Sequence, residues 1–152
     1  MGKKLHYNKL LELVKSLGMP KDDFAVFGSG PMFPHGLKQI DRDIDIIARG
    51  KAWYIAAKFK RPVPDNHNMY LKVSYFQEHV EIFSGWAPGL WHTDSLIDSA
   101  EVYDGIRFVR LEKVLLYKKM LNRKKDLVHI ALIEKYLGPP FITYNSKGFS
   151  FS

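Results

Sequence analysis

The chain has no cysteine among its 152 residues. This absence excludes a disulfide scaffold, a thiolate zinc site and cysteine nucleophile chemistry, and it fits a reducing compartment. Long apolar runs are missing too, and none approaches the ~18 residues needed to span a bilayer. The opening MGKKLHYNKL lacks the apolar stretch of a secretory signal, and His6 breaks the myristoylation pattern. There is no internal repeat and no linker of biased composition. These absences predict a cytoplasmic protein with no membrane partner, folded as a single domain over residues 1–152. Hydrophobic residues at 46% and aromatics at 14% suffice for a packed core, and 26% charge is ordinary for a globular chain.

Charge is unevenly distributed. Between Arg107 and Lys125 stand Arg107, Arg110, Lys113, Lys118, Lys119, Arg123, Lys124 and Lys125 against the single acid Glu112, so this stretch carries the whole net charge of +7. Such a field attracts phosphates, whether of a nucleotide or of a nucleic-acid backbone. A solvated, lysine-rich helix face is the alternative.

Hydrophobic spacing sets the order of elements. Tyr7, Leu10, Leu11, Val14 and Leu17 recur at helical intervals, closed by Gly18 and Pro20. FAVFGS (24–29) reads as a buried strand entering a turn, and Pro31 and Pro34 fit only near the first turn of a helix beyond it. DIDIIA (43–48) is a second strand, KAWYIAAKFK (51–60) a helix, and RPVPDNHN a loop. YLKVSYF (70–76) and HVEIF (79–83) read as paired strands, 84–100 as irregular, and EVYDGIRFV (101–109) as a hairpin with an Asp-Gly turn. Two helices are expected over 111–122 and 126–137, and the tail 139–152 is expected to be loosely ordered. The fold class is therefore α/β or α+β, with helices packed against one mixed sheet.

The chemistry concentrates in acids. On a strand, Asp43 and Asp45 leave the same face, about 6.6 Å apart at Cα, while Ile44 and Ile46 point to the core. Two such carboxylates repel unless a cation compensates them, and hard ions such as Mg²⁺ suit carboxylates plus substrate phosphates. Glu81 alternates with Val80 and Ile82 and would complete a cluster of three if its strand lies beside 43–48. The same pattern also suits solvent-facing positions of half-buried strands. Phe27-Gly28-Ser29 ends the first strand, where glycine permits close backbone approach and Ser29 could contact a phosphate. GSGPMF is neither a Walker loop nor a dinucleotide fingerprint, since no Gly-Lys-Ser/Thr comes after it and Phe33 replaces the third glycine. On the helix 111–122, Lys118 shares the apolar face of Leu111, Val114, Leu115 and Leu121, so it must meet an anion or snorkel to water. Asp126 reads first as the N-cap of the last helix and second as a site residue. The six histidines lack metal-ligand spacing, and Trp86 and Trp91 read as packing or as platforms for a base.

Gly28-Ser29, thirteen residues, then Asp43-Ile44-Asp45 and a later Glu81 resemble the nucleotidyltransferase superfamily of the DNA polymerase β type. The likeness is greatest to its small stand-alone members and its abortive-infection toxins, and it runs from about Phe24 to Leu137. LEKVLLYKKMLNRKKDLVHI (111–130) is similar to the family's helix pair with a Lys and a Lys-Asp, except that His129 stands where relatives often carry another acid. The resemblance implies that Gly28, Ser29, Lys118 and Lys125 contact nucleotide. It implies that Asp43, Asp45 and Glu81 are catalytic and ligate Mg²⁺ or Mn²⁺. The implied reaction transfers a nucleoside monophosphate from an NTP to a hydroxyl of RNA, protein or a small molecule, with release of pyrophosphate. A toxin–antitoxin setting, a partner protein or a homo-oligomer would accompany it. The rival expectation is a weak or inactive module of the same fold that binds nucleic acid through the basic 107–125 segment.

Overall fold

A computed structural model describes residues 6–38 and 42–139, together with the backbone of 142–145 and 148–151. Its centre is two strands that are apolar nearly throughout, β1 (Phe24–Phe27) and β2 (Ile44–Ala48). Strands of that kind need cover on both faces. Around them β3 (Val63–Pro64), β4 (Leu71–Tyr75), β5 (Val80–Phe83), β6 (Glu101–Tyr103) and β7 (Ile106–Phe108) complete a seven-stranded sheet in the order β3-β4-β5-β2-β1-β7-β6. The sheet is mixed: β2 runs parallel to β5 and β1 parallel to β7, while the other neighbours are antiparallel. Asp104 and Gly105 both take positive φ, which is the tight hairpin turn their sequence predicts.

Helices cover both faces. Ile44, Ile46, Val80 and Ile82 pack on one side against α1 (Tyr7–Ser16) and Ala52 and Ala56 of α2 (Gly50–Lys58). Phe27, Ile47 and Ala25 pack on the other against α3 (Thr93–Asp98), α4 (Leu111–Leu121) and α5 (Lys124–Leu137). The chain is thus α+β, with five helices among the described residues. None of these is long and apolar enough to cross a membrane.

Several local expectations are corrected. The segment 84–100 contains α3, whose start is capped by His92 accepting from the Ser95 N–H, an unusual residue for that role. Arg49 at the end of β2 secures this short helix through Asp94 at 3.0 Å and Asp98 at 2.7 Å. The helix expected near Pro31 is only a 3-10 turn, Gly30–Met32. RPVPDNHN includes β3, paired with β4 at the sheet edge. Beyond these corrections, the described backbone of the tail pairs β8 (Ile142–Asn145) with β9 (Gly148–Phe151), four-residue strands too short to display a period.

Candidate functional site

Strand register brings the acids together. Asp45 lies directly beside Glu81 in the parallel β2–β5 pair, and opposite Phe27 at the end of β1. Immediately after Phe27, Gly28 turns the chain with φ of 63°, and a Cβ there would stand 3.0 Å from Asp45 Oδ2. Glycine is required on both counts, the left-handed backbone and the close approach. Asp43 precedes the first paired residue of β2, so it belongs to the loop leading into the strand, and its side chain is half exposed. Buried His79 holds that loop: its Nδ1–H donates to the Arg42 carbonyl at 2.6 Å, and its own carbonyl accepts from the Ile44 N–H at 2.8 Å. The His79 Nδ1 also lies 3.7 Å from Asp43 Oδ1.

The acids feel one another. Burial, then the charges of Glu81 and Asp43, push Asp45 up to about 7. Asp43 is raised as well, by burial first and with Glu81 and Glu78 adding to it, against the lowering charges of His79 and Arg42. Glu81 is already engaged through Oε2, which accepts from Lys72 Nζ at 3.2 Å and from the Ser74 hydroxyl at 2.9 Å.

The facing wall is α4 and α5. Lys118 is only 2% exposed; its ammonium donates to Ser29 Oγ at 2.5 Å and lies 3.6 Å from Asp126 Oδ1. The lysine therefore does not snorkel, and burial lowers it to about 8. Asp126 is not the N-cap: Arg123 is, and Asp126 sits three residues on, accepting from the Arg123 N–H at 2.9 Å. The Arg123 guanidinium adds a forked pair of bonds at 2.7 and 3.1 Å. Burial would raise this carboxyl, but these bonds and Lys118 hold it down at about 2. It is a structural anion that fixes two cations at the helix junction.

Between the walls lies a cleft of about 530 Å³. It gathers Gly28, Ser29, Asp43, Asp45, Lys118 and Lys125, six of the seven residues singled out in the sequence. Glu81 instead lines a smaller neighbouring cavity of about 150 Å³, which shares Asp45 and Tyr117 with the cleft. Sequence reasoning missed Lys38, Arg42, Tyr117 and His129 as cleft residues. Arg42 adjoins the acids in sequence and Tyr117 lies three residues beyond Val114 on the inward helix face, so both carried a usable signal. His129 carried none, because its position depends on how α5 docks. Burial and the neighbouring Lys118 and Lys38 push it down to about 4, so it is a neutral ring in a cationic wall.

The basic run does not form one surface. Arg107 pairs with Asp22 at 2.9 Å, Arg110 with Glu101 at 3.8 Å and Lys119 with Glu134 at 3.1 Å, away from the cleft. Lys118, Arg123 and Lys125 alone of the run line it.

Among the described residues no three His, Asp or Glu groups are gathered as a ready metal cage. The donor set nonetheless suits a hard cation. Asp43 and Asp45 offer carboxylate oxygens, and burial with the charges of Glu81 and Asp43 raises Asp45 despite the opposing charges of Lys118 and Lys72. Comparison with known proteins yields no match to a family model, to a curated protein or to a solved structure.

Proposed function

We propose that the chain is a metal-dependent nucleotidyltransferase of the DNA polymerase β type, moving a nucleoside monophosphate from an NTP to a hydroxyl acceptor. The observation that carries this reading is the charge division of one cleft. Asp43 and Asp45 line it from β2 and the loop leading into it, with Arg42 next to them and Ser29 at the end of the neighbouring β1, and Lys118, Arg123 and Lys125 line it from α4 and α5. A triphosphate with its cation is the ligand that satisfies both walls at once. Mg²⁺ or Mn²⁺, held by Asp43 and Asp45, would supply charge neutralisation at the phosphates and acidify the attacking hydroxyl.

The chain's own groups account for the remaining steps. Gly28 lets the backbone come close to the phosphates, and the Ser29 hydroxyl and Lys118 ammonium, already hydrogen-bonded, offer a preformed donor pair. The acceptor oxygen bonds to the α-phosphorus in line, its proton passes to the Glu81 carboxylate, and the bond to pyrophosphate breaks. Charge on the departing pyrophosphate is met by Lys118, Arg123 and Lys125. Lys72, across the strand pair, holds Glu81 in orientation. A nucleic-acid-binding module is less well supported, because the basic segment is divided among separate ion pairs.

The test is a thermal-shift panel with ATP, CTP, GTP and UTP, each with and without Mg²⁺, on wild type and Asp43→Asn. A ligand at 100 times its dissociation constant stabilises by about 2.7 kcal/mol, or roughly 5–10 °C for a chain of this size. A magnesium-dependent shift lost in the variant is the expected result. No shift with any nucleotide at millimolar concentration overturns the proposal.

A further inference from the structure

Between Asp45 and Asp65 the chain carries five lysines and arginines and no acid. Arg49 is engaged by Asp94 and Asp98. Lys51, Lys58, Lys60 and Arg61 are exposed, and among the described residues none of them has a carboxylate within ion-pairing distance. The 107–125 run is the reverse case, since its Arg107, Arg110 and Lys119 have acidic partners. The same strip exposes rings. Lys51, Tyr54 and Lys58 stand at i, i+3 and i+7 and form the outward face of α2. Tyr54 is 63% exposed, and Phe59, just past the helix, 74%. Lys60 ties the strip to β4: its ammonium donates to the Ser74 carbonyl at 2.8 Å and lies 5.4 Å from the Tyr75 ring centroid. The Phe76 ring follows, 6.2 Å from that of Tyr75. Phe76, Gln77 and Glu78 all take positive φ, an uncommon backbone for such side chains, and this turn leaves Phe76 exposed. Glu78 is the acid of the turn, so four cations less one acid leave the strip at +3.

Exposed rings interleaved with unpaired cations fit a ligand that alternates phosphates with flat uncharged rings. A bilayer needs a continuous apolar face, and the outward side of α2 offers two lysines and a tyrosine instead. An acidic peptide would satisfy the cations and leave the rings in water. We infer that this strip binds a single-stranded nucleic acid, with its phosphates on Lys51, Lys58, Lys60 and Arg61 and its bases stacked on Tyr54, Phe59 and Phe76. Strand register sets the end of the strip beside the acids. Tyr75 pairs with Val80, and Val80 with Ile44, which stands between Asp43 and Asp45. Two strand spacings, about 10 Å, therefore separate Tyr75 from the cleft. The bound strand is the acceptor: its terminal hydroxyl oxygen bonds to the α-phosphorus, the proton passes to Glu81, and pyrophosphate leaves. That role rests on the nucleotidyltransferase reading; binding to the strip does not.

The experiment is fluorescence anisotropy of short labelled oligouridine, oligoadenosine and oligothymidine on the full chain, without NTP or metal. All three should bind saturably, because stacking and phosphate contacts tolerate any base and either sugar. Four phosphate contacts predict about fiftyfold weaker binding at 200 mM salt than at 50 mM. Tyr54→Ala and Phe59→Ala should each weaken binding at least about fivefold, with melting unchanged because both side chains are exposed. Lys58→Gln combined with Arg61→Gln should reduce the salt effect to about sevenfold. Lys113→Gln combined with Lys124→Gln, outside the strip, should leave binding as it is. Ring variants that bind like wild type, or a Lys113 and Lys124 pair that weakens binding as much as the strip pair, overturn the inference. Polyglutamate bound as tightly as the oligomers, or phosphatidylserine vesicles bound through Phe59 in their place, overturn it too. The Mg²⁺-nucleotide thermal shift is read separately, so its absence with oligomer binding intact refutes the transfer and not the strip.

Discussion

Replacing Asp45 by asparagine should make the protein more stable while removing its metal-dependent nucleotide response. Asn is nearly isosteric with Asp and carries no charge, so packing against Gly28 and β5 is retained. In the folded chain the Asp45 carboxyl is raised from 3.8 to about 7, by burial and by Glu81 and Asp43. A raised carboxyl binds its proton more tightly in the folded state, so stability falls as pH rises from about 4 to about 7. Above that window the ionised group costs at most about 4 kcal/mol. Partial solvent access reduces this, and about 2 kcal/mol is a reasonable working value. Asp45→Asn should therefore melt roughly 4–8 °C above wild type at pH 8 and converge with it below about pH 4. Differential scanning fluorimetry across pH, with and without Mg²⁺-ATP, reads both effects. A variant that melts at or below wild type at pH 8 would refute the account of this carboxylate as an uncompensated anion. One that keeps the Mg²⁺-ATP shift would refute its role as a ligand.

Three further outcomes rest on the same geometry. Gly28→Ala and Gly18→Ala both force alanine into positive φ, at about 1–2 kcal/mol each, but a Cβ at Gly18 meets nothing within 4 Å while one at Gly28 meets Asp45. Gly28→Ala should lose more stability in urea than Gly18→Ala, and it alone should lose nucleotide affinity; equal losses of both would dismiss the close-approach argument. Lys118→Met should abolish the nucleotide shift and flatten the pH profile of melting above pH 8. A lysine lowered from 10.5 to about 8 gives stability that rises through that window as the unfolded chain holds its proton, and an unchanged slope in the variant would count against the buried ammonium. Phe27→Ala should cost about 3–5 kcal/mol in chemical denaturation, because this fully buried ring stacks on Trp86 and packs edge-on against Trp91; a loss below about 1 kcal/mol would mean that the aromatic cluster is not tightly packed.

Phe27 and Asp45 also show why stability and chemistry share one place in this fold. The β1–β2 register that packs Phe27 into the core sets Asp45 opposite it, and the β2–β5 register sets Glu81 beside Asp45. A one-residue slip in either pair would turn the apolar residues out and the acids in, so core packing specifies the site register without any contribution from the ligand.

Local patterns sufficed for the elements whose physics is local. The apolar runs of β1 and β2, the Asp-Gly turn after Tyr103 and the helical spacing of α1, α4 and α5 could be read directly, because each reflects backbone preference or one-sided burial over a few neighbours. The Asp43, Asp45, Gly28, Ser29 and Lys118 set was legible for the same reason, as charges and a glycine placed at odds with an apolar surrounding. His92 as a helix cap, and the pairing of the tail, escaped because neither has a strong compositional sign. The division of the basic run was invisible, since Arg107, Arg110 and Lys119 find their partners at Asp22, Glu101 and Glu134, between 9 and 85 residues distant in sequence. Tertiary structure alone decided that Lys118 meets Ser29 and not water, that Asp126 serves Arg123, and that Glu81 lines a smaller cavity with Asp45 and apart from Asp43. Those outcomes depend on which surfaces meet across the sheet and at the α4–α5 junction, and long-range contact is the one quantity that spacing along a chain does not encode.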